Sequence, residues 1–71
     1  MDIGRIRAVR NFLGLRLADV ERVTGVRADR LSEAERGLLD LKTGELIAVR
    51  NFLAGRLADE LREDSALEPG R

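Results

Sequence analysis

The sequence predicts a compact all-α domain of five short helices. Its apolar residues recur at three- and four-residue steps, the spacing that keeps one helix face inward. Runs of β-branched and aromatic residues with period two are missing, and the chain holds two Phe, no Tyr and no Trp, so strands have little to form from. Gly14, Gly25 and Gly37 each fall where one apolar period ends.

Asp2 is placed to cap a first helix that turns Ile3, Ile6, Val9 and Leu13 inward, and Gly14 ends it. A second helix runs over 17–23, with Leu17, Val20 and Val23 on one face. Thr24-Gly25-Val26 reads as a tight turn, in which Gly25 supplies a left-handed backbone that a side chain resists. A third helix covers 27–36 with Leu31 and Ala34 inward, until Gly37 stops it. Residues 38–42 connect to a fourth helix that opens at Thr43 or Gly44 and carries Leu46, Ile47, Val49, Arg50 and Leu53. Ala54-Gly55 weakens the helical pattern, and a short fifth helix follows over 57–62. The domain therefore spans 1–63, and 64–71, with Pro69-Gly70, is expected to be a disordered tail.

One word is used twice. Ala8-Val9-Arg10-Asn11-Phe12-Leu13 recurs forty residues later as Ala48-Val49-Arg50-Asn51-Phe52-Leu53, and Arg16-Leu17-Ala18-Asp19 as Arg56-Leu57-Ala58-Asp59. Either two helix pairs of similar shape flank the third helix, or similar amphipathic needs are met by similar words. Two copies are too few for a solenoid.

A chain of 71 residues buries only about 60% of the surface its unfolded form exposes, so its stability margin is thin. Without Cys there is no disulfide and no thiolate metal site; without His the commonest metal ligand and acid–base catalyst is missing too. Neither a metal nor another cofactor is expected, and association with a second copy is the staple that remains. No Gly-rich phosphate loop or nucleophile–base pair is visible, so enzymatic activity is not expected. No run approaches the roughly 18 apolar residues of a membrane span, and Met1-Asp2-Ile3-Gly4-Arg5 lacks the features of a signal peptide. A cytoplasmic protein is the expectation, with neither a membrane nor a small-molecule ligand as partner. The formal charge is zero, but residues 1–36 carry eight Arg against six acidic groups, and 37–71 carry five basic against seven acidic. Twelve of the thirteen basic residues are Arg, the side chain suited to bidentate contact with phosphate and guanine.

Two short helices joined by a Gly-containing turn, the second exposed and polar, form a helix-turn-helix unit, and residues 17–36 fit that plan. Val20, Val26, Leu31 and Ala34 fall where the two helices pack. The words Ile6-Arg7 with Arg10, Leu17-Ala18-Asp19-Val20-Glu21-Arg22, Thr24-Gly25-Val26, Leu31-Ser32-x-x-Glu35-Arg36-Gly37, Leu46 and Leu53 follow at matching spacing. Over residues 5–62 the chain resembles the lambda-repressor-like family, the Cro/C1 and Xre type of regulator. The run from Leu31 to Gly37 is the most specific part.

The resemblance implies a five-helix domain whose third helix enters the major groove of double-stranded DNA. It implies base and phosphate contacts from Arg27, Ala28, Asp29, Arg30, Ser32 and Glu33, and backbone contacts from Arg16, Arg36 and Lys42. It further implies a partly buried ion pair between Arg10 and Glu35; the alternative is two solvated charges in a chain that is 37% charged. The function implied is that of a sequence-specific transcriptional regulator, a repressor of phage or mobile-element kind, that binds a palindromic operator as a homodimer. Such a protein is nucleoid-associated when bound.

Several residues depart from the family pattern. Leu17 stands where Gln is usual, Glu21 where a small residue is usual, and the loop Leu38-Leu39-Asp40-Leu41-Lys42 is scarcely basic. Asp29 and Glu33 on the third helix either accept from cytosine or hold Arg30 and Arg36 in place. Leu38, Leu39 and Leu41 belong to the core or to a partner surface; Leu41, Leu57 and Leu61 are candidates for a dimer interface. These departures motivate a second expectation, a protein-interaction or assembly module that keeps the fold without strong DNA reading.

Overall fold

The computed structural model describes the backbone of residues 3–67 and the side chains of residues 3–62. It contains four helices and, among the described residues, no strand: α1 (Ile3–Phe12), α2 (Leu17–Thr24), α3 (Ala28–Glu35) and α4 (Thr43–Leu67). The fold is all-helical, as the apolar spacing requires. The expected fourth and fifth helices are one. Ala54 and Gly55 lie inside α4, because a single Gly costs about 1 kcal/mol in a helix and good helix formers flank this one. Residues 64–67 are helical rather than tail, while Asp2, expected as a cap, and residues 68–71 lie outside the described residues.

Each helix contributes to one core. Ile6 of α1, Val20 of α2, Leu31 and Ala34 of α3, and Val49 and Leu53 of α4 are buried, joined by Val26 from the turn. Leu15, Leu17, Leu41, Leu46 and Phe52 pack around that cluster. Val23, expected inward, is 61% exposed instead: α2 has only eight residues, and Val23 lies in its last turn.

α3 and α4 each pack against α1 and α2, while their own backbones do not approach one another. α3 is therefore held from one side and keeps an open face. α4, 25 residues and about 37 Å long, runs past the core and makes the molecule 48 Å long by 19 Å across.

The α2–α3 turn is short because it is closed by local hydrogen bonds. Gly25 adopts φ +78° and donates its N–H to the Glu21 carbonyl at 2.8 Å, which ends α2. The Thr24 hydroxyl donates to the Val20 carbonyl at 2.8 Å and accepts the Val26 N–H at 3.1 Å. Val26 is thereby turned into the core, and α3 starts two residues later.

Candidate nucleic-acid interface

α3 is fixed by its inner face and by two ion pairs to other helices, the more shielded of them at its C-terminal end. Leu31 and Ala34 are buried. Glu35, one position on, accepts two hydrogen bonds from Arg10, Nε to Oε2 and Nη2 to Oε1, each 2.8 Å. Arg10 Nη1 also donates to the Leu15 carbonyl at 2.9 Å. The pair is largely shielded, with the two side chains 12% and 5% exposed, so the fork ties α1 and the loop after it to the end of α3. The guanidinium's affinity for its proton rises further, chiefly through the Glu35 hydrogen bond.

The outer face of α3 carries Arg27, Asp29 and Arg36 in the open, with Ser32 and Glu33 half-buried beside them; Ala28 is half-buried as well. Arg27 is the N-cap residue of α3, and its guanidinium lies 3.2 Å from Asp29. Arg36 at the C-cap reaches only the Ser32 carbonyl, at 3.4 Å. Among the described residues it is the one Arg on this face with no carboxylate partner. Neither Asp29 nor Glu33 holds Arg36 by an ion pair.

Arg30 does not point along this face. Its Nε and Nη2 donate to Glu45 of α4 at 3.0 and 2.7 Å, bridging two helices whose backbones stay apart. Glu45 also accepts the Lys42 N–H at 2.9 Å, which caps α4. Its carboxyl is held below its ordinary value, first by the Arg30 hydrogen bond and then by that N–H. The Arg30 guanidinium is held above its own by Glu45.

The starts of α2 and α3 are filled likewise. The Arg16 N–H at the cap of α2 donates to Asp19 Oδ2 at 2.8 Å, and the guanidiniums of Arg16 and Arg22 lie 3.4 and 3.6 Å from Oδ1. The Arg16 N–H is the largest influence holding Asp19 below the usual carboxylate range. Glu21 reaches across the turn to accept the Ala28 N–H at 2.9 Å and so caps α3. Three protein carboxylates thus sit at three helix N-termini, where an anion is otherwise welcome. The sequence reading missed Glu21 and Glu45 in these roles. Glu45 carries a signal, since it stands three residues after the capping position.

Of the residues expected to form a dimer interface, Leu41 packs on the core, Leu57 is half-buried, and Leu61 is 60% exposed. Leu41, Leu39, Ile3 and Leu46 line an apolar pocket of about 340 Å³ beside Gly37, while Leu38 is 65% exposed.

The chain matches no protein-family model, no curated protein and no solved structure. Among the described residues, no cluster of three or more acidic side chains is placed to hold a metal ion, and no helix is long and apolar enough to cross a membrane.

Proposed function

We propose that the chain is a DNA-binding regulator of the helix-turn-helix type, of the lambda-repressor-like kind, acting as a homodimer on a palindromic site. One observation carries this reading. α3 is anchored by Leu31, Ala34 and Glu35 on its inner side and by Arg30 at its edge, and presents Arg27, Asp29, Ser32, Glu33 and Arg36 outward, after a three-residue turn from α2. An exposed helix held this way is a shape that fits the major groove.

The dimer reading draws on α4. Leu46, Val49 and Leu53 face the core, while Ile47, Ala54, Leu57 and Leu61 recur at steps of seven, three and four on a second side. Ile47 and Leu61 are 47% and 60% exposed. A heptad-like stripe on a helix that outruns its own core suits pairing with a second copy. Such a pair places two α3 helices about 34 Å apart when they read successive turns of one DNA face.

Selection from random duplexes at two ionic strengths tests the proposal. The expected outcome is an enriched palindrome bound less tightly as salt rises. Arg36→Ala then weakens binding by about 1–3 kcal/mol if it reads a base, or uniformly with a shallower salt slope if it meets phosphate. No enriched sequence and no salt response overturns the proposal. A specific observation favours the second reading, an interaction module, in that event: protein carboxylates cap α2, α3 and α4 and engage Arg16, Arg27 and Arg30.

A further inference from the structure

We infer that Glu45 sets the DNA affinity of this domain by competing with phosphate for Arg30. The inference rests on the DNA-binding reading above. Arg30 lies on α3 at the edge of the proposed interface and keeps 34% of its side chain exposed, while Glu45 is 23% exposed. Both are within reach of solvent, so the pair can be exchanged for another partner without unpacking the core. Glu45 presents its carboxylate to Arg30 through two parallel hydrogen bonds of 3.0 and 2.7 Å, the same fork a phosphate offers. One oxygen, Oε1, takes both the Arg30 Nη2 and the Lys42 N–H, so a single group holds the Arg to the first turn of α4. The backbones of α3 and α4 stay apart, and this bridge links them by hydrogen bonds at the edge of the core. A phosphate that meets this edge of α3 must displace a carboxylate already in place. Glu45 is in this sense a positioning residue, which acts through Arg30 rather than by touching DNA.

Glu45→Gln tests this. Gln keeps an acceptor at the third helical position and so can still cap α4, while the charge that holds Arg30 is removed. Binding of the full chain to a labelled random-sequence duplex, followed by fluorescence anisotropy at several salt concentrations, is the measurement. The freed Arg adds about one phosphate contact, so the slope of log affinity against log salt steepens by about 0.9. The affinity gain over the parent is therefore largest at low salt and shrinks about threefold to fourfold between roughly 50 and 200 mM. In Glu45→Gln combined with Arg30→Ala the gain disappears, which separates release of Arg30 from a general loss of negative charge. If the parent binds and Glu45→Gln matches it in affinity and slope, the competition is refuted while the DNA-binding reading stands. A gain that survives Arg30→Ala refutes it as well. Absence of binding by both proteins at low salt overturns the two together.

Discussion

Arg10 and Glu35 are joined by a two-bond fork in a site that little water reaches, so each depends on the other for its charge to be tolerated. Glu35→Ala leaves the guanidinium with the Leu15 carbonyl alone. Breaking a shielded pair from one side costs about 3–5 kcal/mol, a large fraction of the roughly 5–15 kcal/mol that holds a domain together. The urea midpoint of Glu35→Ala should fall accordingly. Replacing both ends, Arg10→Met with Glu35→Leu, should recover much of the loss, since no lone charge is left behind. A single variant within about 0.5 kcal/mol of the parent would show that the fork is dispensable. This pair was expected only as an implication of the resemblance carried by Leu31-Ser32-x-x-Glu35-Arg36-Gly37, since 25 residues separate its partners. The Arg30–Glu45 pair was not expected, because no resemblance implies it and its partners lie on helices whose backbones stay apart. Local spacing offered Arg30 only Asp29 and Glu33; Asp29 accepts its backbone N–H at 2.9 Å, while the guanidinium donates to Glu45.

At the scale of elements, the repeated word shows what local sequence leaves undecided. In the first copy α1 ends at Phe12, Gly14 takes φ +70°, and the Leu15 N–H returns to the Arg10 carbonyl at 3.0 Å. Leu15 packs against the core and anchors that turn. The second copy reads Ala54-Gly55 where the first reads Gly14-Leu15, so no side chain follows the glycine position to anchor a bend, and α4 runs on. Asp19 caps α2, whereas its counterpart Asp59 pairs with Arg62 along the flank of an unbroken helix. Two helix pairs of similar shape were therefore the wrong alternative. Helix starts, the turn at Gly25 and the inward residues Val20, Val26, Leu31 and Ala34 were legible because their cause is local. Gly55→Ala follows from the same contrast. A Cβ there meets nothing within 4 Å and the backbone is not left-handed, so α4 should gain about 0.5–1 kcal/mol. Gly25→Ala, at φ +78° in equally open space, should lose about 1 kcal/mol or more through backbone strain alone. Thermal melts of the two variants should shift in opposite directions; parallel shifts would contradict the distinction.

At the scale of the whole molecule, thirteen basic and thirteen acidic groups cancel at neutral pH, and much of that balance is built into contacts between helices and at their ends. Asp19 and Glu45 are both held below their ordinary values by contacts with N–H groups and Arg side chains that folding brings into place. A carboxylate lowered on folding contributes stability that is fully present above its unfolded value, about 3.9 for Asp and 4.3 for Glu. That contribution is lost as the pH drops through the folded values, which lie lower still. The urea midpoint should therefore change little from about pH 7 to 5 and fall below about pH 4, as caps on α2 and α4 protonate and the unbalanced Arg charges begin to repel. The variant Asp19→Asn with Glu45→Gln carries neither titration. It should be less stable at neutral pH yet shallower in its acid response, because the two losses already lie behind it. An acid limb as steep as the parent's would place the sensitivity elsewhere and detach it from the helix caps.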